Sequence, residues 1–331
     1  MGTRASALAR AQSNAFAEDL TRRTGRPVTV VIVRTQGDQL SSEGKAPPGG
    51  DAAGVFVRAL DDALRRNEID FAVHSLKDVP TAESPGLVLA AVPARADARD
   101  AFVVATRHAG VRRVEDLPRG AKVATSTPRR VSQLLRLRPD LVTVAMAGNV
   151  DTRLARLEEG RADALILASA GLDRLGRGAV ITRRLEPDEM LGAPAQGALG
   201  IGCRADDGET REVLAKMEDP LSRAAAVAER DLLHFLRGGC RAPVGARGFF
   251  EGEEGSRALR LAGRVLSLDG KECLEDEMSE PFDLSSPSFP SKKSSLSLSS
   301  SSAPSSLGRR LAERLLARGA ARLIDAARES A

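Results

Sequence analysis

Two short segments, far apart in the chain, hold side chains that could do chemistry together. His74-Ser75-Leu76-Lys77-Asp78-Val79-Pro80 follows an apolar run and sets an ammonium beside a carboxylate where a strand leaves its sheet. Leu236-Arg237-Gly238-Gly239-Cys240-Arg241-Ala242-Pro243 sets one thiol on a glycine-rich turn just past a helix. A carboxylate at such an edge can stabilise a cation or shuttle a proton; the alternative is a structural ion pair with its neighbouring lysine. Nearby arginines and a turn lower a thiol pKa, and the competing reading of Cys240 is a buried, inert cysteine. Taken together, the two segments suggest an acid/base site served by a group tethered to Cys240. A Schiff base at Lys77 is conceivable, but nothing else points to pyridoxal phosphate. His74, on an apolar strand, reads as a packed core histidine.

Three helix starts ask for an anion. Thr127 suits an N-cap and Pro128 the first helical position, and Arg129 and Arg130 then fall in the first turn. The helix dipole disfavours cations there, so the pair makes sense if a carboxylate or phosphate is held by backbone N–H groups and guanidinium forks. Two solvated surface arginines are the other reading. The pattern recurs at Thr3-Arg4-Ala5-Ser6, with Ser6 as cap, and at Asn149-Val150-Asp151-Thr152-Arg153, with Asn149 as cap. No phosphate-binding glycine motif of the nucleotide folds is present, and arginine pairs bidentately with carboxylates. A ligand with several carboxylates fits best.

The elements that must position these groups alternate. Val28–Val33, Ile69–Val73, Leu87–Val92, Ala101–Ala105 and Ala164–Leu167 read as short buried strands, with helices such as Val55–Arg66 and Val131–Leu137 between them. That is the pattern of α/β sheets with mostly parallel strands, in which ligands bind beyond the carboxyl ends. Gln39–Ala53, rich in Gly, Pro and Ser, reads as a lid or as a plain surface loop. A helix over Leu221–Leu236 is closed by Gly238-Gly239. Strand-like Ala258–Leu268 ends at a turn at Asp269-Gly270. Asp283–Ser306 is Ser-rich without periodicity and is expected to be a disordered insertion. One last amphipathic helix starts at about Gly308, with Leu311, Leu315 and Leu316 on one face.

Composition narrows the function classes. The chain has 331 residues, enough for two or three domains, and a formal net charge of +4. It has no long Lys/Arg run and no aromatic platform, so no nucleic-acid partner is expected. Cys203, Cys240 and Cys273 are widely spaced and odd in number, which speaks against a zinc site, any other metal centre or a disulfide framework and for a reducing compartment. No signal peptide or membrane-spanning run is visible, so the expected location is cytoplasmic, with no membrane partner.

At this point the segments resemble a known family, that of porphobilinogen deaminase, also called hydroxymethylbilane synthase. The matching stretches are Gly2–Ala9, Val73–Pro80, Thr125–Arg130, Gly148–Leu154, Leu165–Gly176, Gln196-Gly197-Ala198 and Gly238–Gly245. The resemblance implies two α/β domains like periplasmic binding proteins, with the site between them, plus a smaller α+β C-terminal domain. Domain 1 would take 1–93 with a return segment 198–215, domain 2 would take 94–197, and domain 3 would take 216–331, with the Ser-rich insertion at 283–306.

The resemblance also implies a reaction. Four porphobilinogen molecules would be joined head to tail, with ammonia lost each time, on a dipyrromethane cofactor bound covalently through Cys240. Water would then release hydroxymethylbilane. Asp78 would be the catalytic carboxylate, assisting loss of ammonia and stabilising the cationic azafulvene intermediate. Ser75, Lys77, Thr127, Arg129, Arg130 and Arg153 would hold cofactor carboxylates. Arg4, Ser6, Arg153 and Arg174 would serve incoming substrate, and Phe56 would sit over the site. Such a protein is expected to be a monomer.

The chain departs from the family pattern at four places. Ala147 stands where the family has an arginine, a change worth about 1.5–3 kcal/mol of binding if nothing replaces it. The lid ends in Asp51-Ala52-Ala53-Gly54 rather than in a glycine-lysine or glycine-threonine sequence. Met1 falls where the family's first strand is ending, and a shortened strand would expose apolar surface and unpaired backbone. The Ser-rich insertion interrupts the domain that carries Cys240. A second functional class therefore stands beside the enzyme: a non-catalytic, two-lobed binding module for an anionic small molecule, needing the arginines but neither Asp78 nor Cys240.

Overall fold

The computed structural model describes residues 1–34, 52–82, 84–239, 241–253, 256–283 and 303–330, with backbone alone at 52–56 and 303–306. Cys240, the lid stretch up to Asp51 and most of the Ser-rich segment lie outside the described residues.

Two five-stranded sheets share one plan. The first is built from β1 (Gly2–Arg4), β2 (Val31–Val33), β3 (Phe71–Ser75), β4 (Leu87–Ala91) and β10 (Leu199–Arg204), in the order β2-β1-β3-β10-β4. The second holds β5 (Asp100–Val104), β6 (Lys122–Ala124), β7 (Val142–Val144), β8 (Ala164–Ala168) and β9 (Arg183–Arg184), in the order β7-β6-β8-β5-β9. In each, the fourth strand in that order runs antiparallel to its neighbours: β10 against β3 and β4, β5 against β8 and β9. Each of these is the first strand laid down after the chain crosses from the other sheet. The crossings are 92–99 and 185–198.

Side chains alternate across the sheets as the two-residue period requires. Phe71 and Val73 pack with Phe16 and Leu20 of α1 (Ala7–Thr24), while Ala72 faces Leu60 and Leu64 of α2 (Ala52–Arg65). In the second sheet Phe102 and Ile166 face Leu134 of α3 (Pro128–Leu137). Val103 and Leu165 face Leu157 of α4 (Val150–Glu158) and Leu172 of α5 (Ser169–Arg174). Both faces are covered, which is why these strands read as continuous apolar runs.

After α6 (Gly208–Ala215), a smaller third unit closes the chain. Antiparallel β11 (Val244–Glu251), β12 (Ala258–Leu266) and β13 (Cys273–Pro281) pack on α7 (Pro220–Phe235), α8 (Ala303–Ala317) and α9 (Ala320–Glu329). The expected plan of two α/β domains and a smaller C-terminal α+β domain is the one observed. Three details differ from expectation. The last helix begins at Ala303, inside the stretch expected to be disordered, because Leu307 joins Leu311 and Leu315 in the buried stripe. It is also two helices, parted at Gly319, whose φ of 97° breaks the α7-facing run. The lid, expected to reach Ala53, gives way to α2 at Ala52. β1 is three residues long, and Val31 and Ile32 beside it are 40% and 50% exposed.

The third unit touches both lobes. Gly270, at the β12–β13 turn, has φ +73°, and a Cβ there would lie 2.5 Å from Ser132 O and Arg136 N of α3. Arg264 of β12 donates to Gln133 Oε1 at 2.9 Å, and Gln133 Nε2 donates to Arg129 O and Leu191 O. The two crossings lie against each other: Ala96 N donates to Gly197 O, and Gly197 has φ +86° with no room for a Cβ, since Ala96 O would be 2.5 Å away.

Candidate functional site

All three expected caps form. Thr127 Oγ1 accepts from Arg130 N, Ser6 Oγ from Ala9 N and Asn149 Oδ1 from Thr152 N. The helix starts therefore stand where the sequence placed them, at the carboxyl ends of β6, β1 and β7. What the sequence reading missed is an internal anion. Asp100, the first residue of β5, is fully buried and receives both arginines. Arg129 Nη1 donates to it at 2.6 Å, and Arg130 Nε and Nη2 at 3.0 and 2.7 Å. Arg129 Nη1 also donates to Leu191 O at 2.7 Å. Burial opposes ionisation of Asp100, but Arg129 and Arg130 outweigh it and hold the carboxyl well below the usual range.

β3 ends in one turn of 3₁₀ helix, Leu76–Asp78. Leu76 is buried, whereas Lys77 and Asp78 are half-buried. Lys77 Nζ donates to Gln196 Oε1 at 3.3 Å, and Gln196 Nε2 donates to Asp100 Oδ1 at 3.0 Å and Ala98 O at 2.8 Å. Gln196, on the second crossing, thus links the first lobe's lysine to the second lobe's arginine cluster. Burial pushes Lys77 down to about 8; Asp78 opposes this, and Arg130 adds to it.

Arg153 lies in the same cluster. Its Nε donates to Gly148 O at 2.9 Å, and burial, then Arg130 and Arg156, lower it to about 10. Arg156 donates to Ala147 O at 2.8 Å, so a guanidinium lies beside the position where the sequence lacks its expected arginine. Arg174 reaches across to Gly197 O at 2.7 Å and is lowered by burial. Ser75 bonds Gln12. Arg4 is half-buried and close enough to His74 to add to the effect of burial, which brings that histidine down to about 4 and leaves it neutral. Thr125 Oγ1 is buried with no hydrogen-bond partner among the described residues; it lies in the matching stretch Thr125–Arg130 but was given no role from the sequence. The side chain of Phe56 and Cys240 itself are not described, but the residues flanking Cys240 are: Ala242 N donates to Gly239 O at 3.0 Å.

Lys77, Arg130, Arg153 and Arg156 are thus gathered where the two lobes meet, with a carboxylate, Asp78, on the turn that carries Lys77. Besides burial, Arg130 helps to lower Lys77, and Arg130 and Arg156 help to lower Arg153; a polycarboxylate would relieve this. Fold and site together define a two-lobed α/β protein with a third domain and a cluster of cations where the lobes meet. Two family models match the chain. The porphobilinogen deaminase dipyrromethane cofactor binding domain matches residues 1–212, and the porphobilinogen deaminase C-terminal domain matches residues 224–317. The chain belongs to the porphobilinogen deaminase family. It is 44% identical over 329 residues to porphobilinogen deaminase 1 of Streptomyces coelicolor, covering 98% of this chain and 96% of that one. It is 43% identical over 330 residues to the porphobilinogen deaminase of Thermobifida fusca, covering 99% and 96%. Among solved structures it is similar to the Bordetella pertussis BvgS VFT2 domain, at 20% identity and a TM-score of 0.38, over 62% of this chain and 76% of that one. Among the described residues no helix is long and apolar enough to cross a membrane, and no group of acidic, histidine or cysteine side chains could hold a metal.

If Lys77 holds a ligand carboxylate, its low pKa has a measurable consequence. Above about pH 8 the ligand-free protein loses that ammonium. Carboxylate affinity should then weaken by up to about tenfold per pH unit as pH rises further. Lys77→Arg keeps its charge and should flatten the profile. The check is KM for the anionic substrate between pH 7 and 9.5 in both proteins.

Proposed function

We propose that the protein is a hydroxymethylbilane synthase: it condenses four porphobilinogen molecules head to tail, with loss of ammonia, and releases the linear tetrapyrrole by hydrolysis. The carrying observation is the group of cations beside Asp78, including an arginine lowered to about 10 by burial and by two other arginines. The proposal divides the chain into domain 1 (1–93 and 198–215), domain 2 (94–197) and domain 3 (216–331), and takes it to act as a cytoplasmic monomer. In support of the division, β10 and α6 return to the first sheet.

A dipyrromethane fits these residues. The hydroxyl of Thr125 has no partner among the described residues, and Arg153 is lowered by burial, Arg130 and Arg156; such a ligand would bring an acceptor to the one and an anion to the other. Held through Cys240, the group would supply an anchored primer to which substrate is added. Ser75, Lys77, Thr127, Arg130 and Arg153 would bind its carboxylates. Arg129, directed at Asp100 and Leu191 O, would serve it by holding Asp100 against Arg130. Arg4, Ser6, Arg153 and Arg174 would receive incoming porphobilinogen. Arg156 would supply the cation missing at Ala147. Asp78 would lie against the positive charge that develops on the substrate as its amine departs; a fixed carboxylate in a partly dry cleft can supply several kcal/mol, on the order of the 2.7–4 attributed to one oxyanion donor.

The test is an intact mass after incubation with porphobilinogen, beside Cys240→Ser. The wild-type chain should gain the mass of two deaminated porphobilinogen units and the variant none. An unmodified wild-type mass would hand the protein to the binding-module reading. In the same assay Asp78→Asn should keep the adduct and lose turnover by about a hundredfold.

A further inference from the structure

The turn that carries Lys77 and Asp78 has little stiffness of its own. One 3₁₀ turn supplies a single internal bond, from Val79 N to Leu76 O at 3.2 Å, and such turns have poor hydrogen-bond geometry. Its placement must come from outside. On one side Leu76 N donates to Ala198 O at 3.0 Å, where the second crossing re-enters the first lobe. On the other side stands a side chain from the third domain. Arg230 of α7 is only 4% exposed. Its Nη1 donates to Leu76 O at 3.1 Å and to Val79 O at 2.7 Å, and its Nη2 donates to Pro80 O at 2.7 Å. One guanidinium therefore spans the backbone on both sides of Asp78.

Such an arrangement needs arginine. Its donors lie in a rigid plane and can reach three carbonyls at once, whereas an ammonium is a point charge on a flexible stem. Bonds from a charged donor are also shorter and stronger than neutral ones. The same helix leads, through Leu236, Arg237, Gly238 and Gly239, to Cys240. α7 thus connects the carboxylate turn of the first lobe to the loop of the tethered thiol.

We infer that Arg230 is a positioning residue for Asp78: by gripping the carbonyls of Leu76, Val79 and Pro80, it sets where that carboxylate stands relative to a group held at Cys240. The inference rests on the reading of Asp78 as the catalytic carboxylate. A merely structural clamp would instead affect folding, cofactor loading and both kinetic constants together.

The experiment compares wild type, Arg230→Lys, Arg230→Ala and Asp78→Asn, each with its intact mass, thermal melt, kcat and KM. Arg230→Lys is expected to melt above the assay temperature and to carry the full adduct. Its kcat should fall by about tenfold or more, with KM within about threefold of wild type. Millimolar guanidinium should restore part of the turnover of Arg230→Ala and none of that of Asp78→Asn. If Arg230→Ala does not fold, the kcat and KM of Arg230→Lys carry the test. Wild-type kcat in Arg230→Lys, with Asp78→Asn inactive, overturns the positioning role and leaves the reading of Asp78 intact. Loss of adduct, or kcat and KM moving together, overturns it in favour of a structural clamp. Wild-type turnover in Asp78→Asn overturns the underlying reading itself.

Discussion

Asp100→Ala should lower the stability of the protein by about 3–5 kcal/mol, the usual cost of breaking a buried ion pair by removing one partner. Asp100 is fully buried, and the two guanidinium groups that point at it are nearly so. Removing the carboxylate strands both cations and also leaves Gln196 Nε2 with Ala98 O as its acceptor. Asp100→Asn keeps the shape but not the charge, and should recover a part of the loss. The sign of the pH dependence follows from the depressed carboxyl. Its contribution is complete above the unfolded value near 4 and fades as pH falls towards the lower folded value. The gap between wild type and Asp100→Asn in urea unfolding should therefore be full at pH 7 and narrow below about pH 4. A second signature separates this role from simple packing. With Asp100 gone, Arg129 and Arg130 can accept an outside carboxylate, so millimolar dicarboxylate should raise the variant's melting temperature more than that of wild type. Equal responses would mean that the arginines do not depend on Asp100.

Local signals carried much of the site. N-caps are written within four residues, so Ser6, Thr127 and Asn149 could be found without a fold. The end of β3 was legible because an apolar run stops at Ser75-Leu76-Lys77-Asp78. Asp100 was not, since next to Arg99 it looks like an ordinary surface charge, and its partners lie 29 and 30 residues away. Their meeting depends on β5 entering the second sheet antiparallel, which only the sheet order reveals. β1, β6 and β7 have three residues each, too few for a period. β10 was hidden by Gly200 and Gly202; at Gly200 a Cβ would lie 2.8 Å from Leu76 Cδ1, so that packing excludes the side chain a strand pattern would need. In α7 a signal existed and went unread. Ala225, Ala228, Leu232 and Leu236 form the buried stripe, and Glu229 falls on it. A charge on an apolar stripe asks for a partner.

Glu229 has four. Oε1 accepts from Arg95 Nη1 at 2.7 Å and from Gly248 N at 2.6 Å, and Oε2 accepts from Arg95 Nη2 at 2.9 Å and from Ala195 N at 2.6 Å. Arg95 belongs to the first crossing, Ala195 to the second and Gly248 to β11, so one carboxylate of α7 fastens both inter-lobe crossings to the third domain. Glu229→Ala should cost about 3–5 kcal/mol, because it leaves Arg95 and two backbone N–H groups without their acceptor in a buried place. Glu229→Gln should cost somewhat less, since its amide oxygen can still accept but its NH₂ faces donors. The site-specific readout is amide hydrogen exchange. In Glu229→Gln the amides of Ala195 and Gly248 should exchange faster than in wild type, by about ten- to a hundredfold, while amides in β8, buried in the second sheet away from this junction, slow or quicken only as far as global stability dictates. Were Ala195 and Gly248 to change no more than β8, the carboxylate would be one stabilising contact among many. Local acceleration would make Glu229 the joint through which the third domain holds the two crossings. In that case the lobes could move about those crossings only as far as α7 allows, and the turn gripped by Arg230, one residue further along the helix, would move with them.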